Sequence, residues 1–129
     1  MRIVLLLVLS LLNAACLCTQ PTQTRPLAEL IDTKDPSWPL VQSWIASAKN
    51  KVQVLPKTAG RADSALLAAQ VTTRSPMGAV VYETGGILVD NGWLRILGSG
   101  SPALNRDLMG WNMDKQKGIL LVADDALGG

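Results

Sequence analysis

Hydrophobic positions in the first half of the chain recur at helical spacing. Residues 27–31 predict a short amphipathic helix. A second helix is predicted from Asp35, a favoured N-cap residue, with Pro36 at its first position. The alanine-rich residues 58–70 predict a third helix. The second helix has an apolar stripe formed by Trp38, Val41, Trp44, Ile45 and Ala48. We expect the two tryptophans of this stripe to pack in the core.

The central part of the chain is rich in strand-forming residues, and glycine pairs interrupt it. Gly85-Gly86 predicts one turn, and Asn91-Gly92 is typical of a type I′ hairpin. We therefore predict consecutive antiparallel strands over residues 79–97, with the tightest turn at Asn91-Gly92. In that register Val89 lies opposite Leu94. The separate strand runs are residues 52–54, 79–82, 87–89 and 93–97.

An uninterrupted apolar run, residues 118–123, predicts a buried strand in the centre of the sheet. The chain ends at Gly129, and nothing after the run could cover such a strand. We therefore expect the fold to be truncated at the C-terminus, without its last strands and a covering helix. The predicted fold class is α+β, with two or three helices packed on a mainly antiparallel sheet.

The N-terminus has the pattern of an export signal. Arg2 precedes an apolar run over residues 3–12, which is shorter than the roughly 20 residues of a bilayer span. Cys16 follows two alanines, as in a bacterial lipobox, although Asn13 stands where that motif has an aliphatic residue. Lipidation at Cys16 and ordinary cleavage before residue 20 are both open. The predicted domains are 1–18 as signal peptide, 19–26 as flexible tether and 27–129 as an incomplete α+β domain.

The amino-acid composition argues against several classes of function. The chain has no histidine, two cysteines, and 12 basic against 10 acidic residues. This near balance argues against nucleic acid as a partner, and we expect no metal and no other cofactor. The loop at Gly98-Ser99-Gly100 lacks the lysine that a phosphate-binding loop requires. We expect an exported protein of the periplasm or cell envelope, which meets a membrane only through its signal or a lipid anchor.

Two functional hypotheses remain open. The first is a binding or interaction module whose partner is unknown, with another protein as the expectation. The alternative is a hydrolase-type enzyme that uses acidic and arginine residues at the sheet edge, so whether the chain is an enzyme stays open. Convergence of at least three of these side chains in one concave pocket would favour the enzyme. The candidate residues are Arg74, Glu83, Asp90, Arg95, Asp124 and Asp125.

Three long segments resemble a known family. They are SWPLVQSWIASAKNKVQVLP (37–56), QVTTRSPMGAVVYETGGILVDNGWLRILGSGS (70–101) and LLVADDALGG (120–129). They look like the bacterial domain-of-unknown-function family numbered 2625. The resemblance implies that this chain corresponds to the N-terminal portion of longer family members, and it implies no catalytic residues. A weaker, fold-level likeness of residues 93–96 and 120–129 to the SUKH superfamily would imply an immunity-like role.

Overall fold

The computed structural model describes residues 23–114 and 118–127. The predicted signal peptide and Cys16 lie outside these residues. Five helices and four strands follow one another along the described chain. In order they are α1 (Leu27–Leu30), α2 (Trp38–Ser47), β1 (Val52–Pro56), α3 (Ala59–Ala69), α4 (Pro76–Glu83), β2 (Thr84–Val89), β3 (Leu94–Leu97), α5 (Leu108–Asn112) and β4 (Ala123–Asp125).

The four strands form one antiparallel sheet in the order β1-β2-β3-β4. The α+β class with an antiparallel sheet is therefore confirmed, with more helices than the predicted two or three. The hairpin register is also confirmed, because Val89 pairs with Leu94. Asp90, Asn91 and Gly92 all have positive φ angles, of 49°, 59° and 86°, so the left-handed turn begins one residue before the predicted Asn91-Gly92 pair. The N–H of Trp93 closes this turn by donating to the carbonyl oxygen of Asp90 at 3.3 Å.

The two faces of the sheet have different surroundings. One face contributes Leu55 and Leu97, each 2% exposed, to the main core. That core also contains Ala65 of α3 and Leu108 of α5. The opposite face carries a row of directly paired residues, Val54, Ile87 and Ile96, which face the same way because cross-strand partners share a side. Val54 in this row is 38% exposed.

The strand predicted at residues 79–82 is wrong, because these residues belong to helix α4. Ser75 caps the helix by accepting a hydrogen bond from the N–H of Gly78 at 3.0 Å. Pro76 follows at the start of the helix, where its missing N–H costs nothing. A good N-terminal cap and burial of Ala79 and Val81 against the neighbouring elements outweigh the strand preference of the valines.

Gly85 and Gly86 do not form the predicted turn, since both lie inside β2. Neighbouring atoms lie too close to either glycine for a side chain. At Gly86 the nearest is a methyl carbon of Leu104, which would lie 2.6 Å from an added Cβ. A Cβ on Gly85 would lie 2.7 Å from the carbonyl oxygen of Pro56 and 2.8 Å from that of Gly100. The loop at Gly98-Ser99-Gly100 runs alongside, and its N–H groups donate to this strand. Gly85 therefore allows the close approach of backbone segments, and Gly86 makes room for Leu104.

The predicted central strand at residues 118–123 is also wrong. Only Ala123 belongs to a strand, and β4 lies at the edge of the sheet. Residues 119–122 lie outside any strand and are between 37% and 56% exposed. The start of α2 differs as well, because Ser37 and not Asp35 occupies its N-cap, and Pro36 therefore precedes the helix. Apolar character alone did not reveal that the 119–122 run lies on the surface.

Candidate functional site

An apolar cleft lies between helices α2 and α4 and the open face of the sheet. Its volume is about 450 Å³, within the range of roughly 300–1,000 Å³ typical of ligand pockets. Every side chain that lines it is apolar. The lining residues are Val41, Trp44, Ile45, Ala48, Val52, Pro76, Met77, Val80, Ile87, Val89, Ile96, Leu97 and Val122.

The apolar stripe of α2 forms one wall of the cleft. Val41 is buried at 5% exposure, and Ile45 is half-buried. Trp44 projects at the rim and is 52% exposed, so the expectation that it packs in the core is wrong. A second, smaller hollow of about 420 Å³ lies beside it and is lined by Trp38, Gln42, Ile45, Ala46 and Val54. A tryptophan left half in water next to an apolar cleft is typical of binding surfaces.

Thr73 fixes the position of α2 against the start of α4. It is 3% exposed, and its N–H donates to the carbonyl oxygen of Leu30 at 2.9 Å. Its hydroxyl accepts a hydrogen bond from the N–H of Asp32 at 2.8 Å. Its carbonyl accepts from the N–H of Ser37, the N-cap of α2, at 2.9 Å. One buried residue thus joins the turn before α2 to the turn before α4 and sets the separation of the cleft walls.

The Asp32 carboxylate shapes the turn before α2. It accepts hydrogen bonds from the N–H groups of Lys34 and Asp35, each at 2.9 Å. These bonds, first that from Asp35 and then that from Lys34, lower the pKa of Asp32 below its usual value. The nearby positive charges of Arg74 and Lys34 act in the same direction. The ionised form of Asp32 therefore stabilises the turn that precedes α2, the helix that forms one wall of the cleft.

The exposed apolar run at residues 119–122 continues the cleft beyond its rim. Val122 lines the cleft and is 42% exposed, and Leu121 is 37% exposed. The side-chain amide of Asn112 holds the run in place with two bonds. Its nitrogen donates to the carbonyl oxygen of Leu121 at 2.9 Å, and its oxygen accepts from the N–H of Leu121 at 2.8 Å. The run is therefore anchored while its side chains face solvent.

Three of the six candidate residues meet on the other side of the sheet. The side chain of Asp124 is 1% exposed, and its Oδ2 accepts from Arg95 at 2.8 Å and also from Arg106. Arg95 also donates to the carbonyl oxygen of Asp125. The guanidinium of Arg106 lies 4.2 Å from the ring centre of Trp111, a cation–π contact. Among the described residues, Asp124 Oδ1 and Arg95 Nε are buried without a hydrogen-bond partner.

Arg74 and Glu83 lie away from this cluster and have their own partners. The Nε of Arg74 is 3.4 Å from the carboxylate of Asp35, and both side chains are mostly exposed. Glu83 forms a 2.8 Å ion pair with Lys57. Asp90 lies in the hairpin turn, at the opposite end of β2 from Glu83.

The Asp90 carboxylate links the hairpin to the residues before β1. It accepts from the side-chain amide of Asn50 at 2.7 Å and from the N–H of Lys51 at 3.0 Å. The structure therefore gathers Arg95, Asp124 and Asp125 and leaves the other three candidates apart. A functional role for any of the six stays a prediction.

Within residues 23–114 and 118–127, no group of three potential ligand residues is placed to hold a metal ion. In the same ranges no helix has the length and apolar character needed to cross a membrane.

The glycine-rich loop at residues 98–100 uses its backbone donors within the fold. The N–H groups of Ser99 and Gly100 donate to the carbonyl oxygens of Thr84 and Gly85 at 3.1 and 3.0 Å. These two N–H groups are therefore hydrogen-bonded to β2 and do not point toward a phosphate site.

Sequence reasoning missed the cleft, Arg106 and the ring of Trp111 that stacks on it. The cleft consists of residues from five elements and the segment before β4, so no local motif marks it. The signal that was available was the apolar stripe of α2, in which Trp44 is left 52% exposed. Arg106 lies in an irregular segment, where spacing carries little information.

Comparisons with known proteins place the chain among uncharacterised proteins. It is 46% identical over 107 residues to the uncharacterized protein YbfG of Escherichia coli (strain K12), covering 81% of this chain and 50% of that relative. It is 46% identical over 110 residues to an uncharacterized protein of Haemophilus influenzae (strain ATCC 51907 / DSM 11121 / KW20 / Rd), covering 80% of this chain and 48% of that relative. The chain thus spans about half the length of the curated relatives it matches. No solved structure matches it.

The family comparison covers every described element. Residues 27–129 match the family described as "Protein of unknown function DUF2625". That range begins at the first residue of α1 and includes β4. It also includes all thirteen residues that line the cleft. The chain therefore belongs to the DUF2625 family.

Proposed function

We propose that this chain is a binding module and that the apolar cleft is its binding surface. The observation that carries the proposal is the lining of the cleft, which is apolar throughout and has exposed rim residues at Trp44 and Val122. Exposed apolar surfaces of this kind are rare on soluble proteins unless another molecule covers them. Burial of apolar surface supplies about 25 cal/mol per Å², so the cleft favours an apolar partner.

The hydrolase alternative has less support. Arg95, Asp124 and Asp125 meet, but Asp124 is covered by two arginines and none of the three lines the apolar cleft. An immunity role by analogy with the SUKH superfamily would name a toxin as the partner. That analogy rests partly on an apolar strand at residues 120–122, and these residues lie outside any strand.

We propose further that the chain is exported to the periplasm or cell envelope. The support is the sequence pattern at its start, with Arg2 followed by the apolar residues 3–12. Lipidation at Cys16 is the finer form of this proposal. Cell fractionation tests it: export predicts a shortened chain in the envelope or periplasmic fraction. A chain that keeps Met1 and stays in the cytosol would overturn it, and Cys16→Ser should release the protein from membranes only if Cys16 carries a lipid.

Titration with N-phenyl-1-naphthylamine, a neutral apolar probe, tests the binding surface. The chain should bind the probe saturably, and fluorescence should rise as the probe leaves water. Trp44→Asp and Val122→Asp should each weaken binding because they place a charge at the rim of the cleft. Leu67→Asp is the matched control, since Leu67 is 40% exposed on α3 and lines no part of the cleft. Equal binding by all four proteins, or none by any, would contradict the proposal.

A further inference from the structure

We infer that the occupant of the cleft is a polypeptide, namely the half of the two longer relatives that this chain does not match. This inference rests on the proposed binding function and names its partner. In the longer relatives the occupant would belong to the same chain. Its apolar side chains would fill the space between α2, α4 and the open sheet face.

The lengths of the relatives supply the first argument. The matched region makes up 50% of the E. coli protein and 48% of the H. influenzae protein. Each relative therefore has about as much polypeptide again outside the match. At 46% identity the matched halves share this fold, so each relative has to place its other half somewhere on it.

The uneven surface of the described fold indicates where that half binds. The sheet face that carries Leu55 is covered by α3 and α5, and Leu55 is 2% exposed. On the opposite face Ile87 is buried at 3% exposure where it lines the cleft, whereas Val54 is 38% exposed. Apolar exposure extends from this face past Val122 to Ile119, which is 56% exposed. A small ligand would fill the cleft but leave Ile119 in water, whereas a polypeptide segment covers both.

Covalent linkage in the relatives favours the same occupant. In each relative the unmatched half belongs to the same polypeptide as the matched half. A short linker between two such parts holds them at a high effective concentration, of millimolar order. A covalently attached apolar segment would therefore occupy the cleft before a free molecule of similar affinity could.

The test uses the full-length E. coli relative with a photoreactive p-benzoylphenylalanine at the position aligned with Trp44. Irradiation should join this residue to a peptide in the unmatched half of the same molecule, which mass spectrometry identifies. The same group at the position aligned with Leu67 is the control and should give no such product. A crosslink to a second copy, to the matched half alone, or none at all would overturn the inference.

Probe binding separates this inference from the proposed function. N-phenyl-1-naphthylamine should bind this chain and should not bind the full-length relative, whose cleft would be occupied. If this chain binds the probe in the cleft while the crosslink to the unmatched half is absent, the identity of the occupant is wrong. The proposal that the cleft is a binding surface is then kept. If neither the probe nor the crosslink is found at the cleft, both proposals fail.

Discussion

At the scale of single residues, Asp124 is the most constrained charged group in the described fold. Its side chain is 1% exposed, and it accepts from two arginines whose side chains are only about a quarter exposed. A buried carboxylate is tolerated only when cations and donors compensate for its lost hydration. The cluster therefore ties β3, β4 and the segment before α5 together. The stacking of Arg106 on Trp111 extends this connection into α5.

Replacing Asp124 by Asn should destabilise the fold by about 3 kcal/mol, because it leaves two arginines without their anion. Urea unfolding followed by circular dichroism gives the change. Asp114→Asn is the control, since Asp114 is exposed and should change stability by less than about 0.5 kcal/mol. Equal midpoints for the two variants would show that the cluster contributes nothing to stability.

Two glycines isolate the effect of backbone conformation. A side chain on Gly92 or Gly60 would meet nothing within 4 Å, but Gly92 has a φ of 86° and Gly60 lies in helix α3. Gly92→Ala should therefore cost about 1 kcal/mol, the penalty of the left-handed region for an L-residue. Gly60→Ala should leave stability unchanged or raise it by up to about 1 kcal/mol. A stabilising Gly92→Ala would contradict the turn geometry.

Asp32 predicts a pH dependence. Its folded pKa is lowered by the backbone N–H of Asp35, so its contribution to stability is present above the unfolded value of about 3.9. That contribution is lost as the pH falls through the lower folded pKa. NMR titration should find the Asp32 carboxyl titrating below its usual value. The thermal midpoint of unfolding should fall between pH 5 and pH 2 in both proteins. The fall should be smaller for Asp32→Ala than for the native chain, because the variant has no carboxylate at this position to protonate. Parallel loss in both proteins would contradict this assignment.

At the scale of elements, local signals predicted some elements well and others not at all. The alanine-rich helix was predicted at residues 58–70 and occurs as Ala59–Ala69, since propensity and amphipathic spacing agree there. The hairpin turn was predicted because Asn91-Gly92 needs little tertiary support. The strand prediction for residues 79–82 failed because the N-cap at Ser75 favours a helix over a strand in this short apolar run.

The position of helix α2 depends on the buried side chain of Thr73. Thr73→Val keeps the shape but removes the hydroxyl that accepts from Asp32, leaving that N–H without its partner. The cost should be about 1–3 kcal/mol. Because the start of α2 loses this anchor, probe affinity for the cleft should fall as well. Thr33→Val on the exposed turn is the control and should change neither property. Loss of stability with unchanged probe binding would show that α2 is held in another way.

At the scale of the whole molecule, the two faces of one sheet explain the proposed function. One face is closed by α3 and α5, and the other carries an open apolar cleft. Sequence analysis anticipated uncovered apolar surface but assigned it to a central strand at residues 118–123. The structure instead places β4 at the edge and the uncovered surface mainly between α2, α4 and the sheet. Which face remains open depends on how distant elements pack, and no local pattern encodes that.

The most direct measurement is methyl NMR of the labelled chain in the presence of N-phenyl-1-naphthylamine. We expect nuclear Overhauser contacts from the probe to the methyl groups of Ile87 and Ile96, which line the cleft. We expect none to Leu55 and Leu108, which lie in the closed core on the other side of the sheet. Contacts to the core leucines, or to the sheet's charged cluster with none to Ile87 and Ile96, would contradict the cleft as the binding surface.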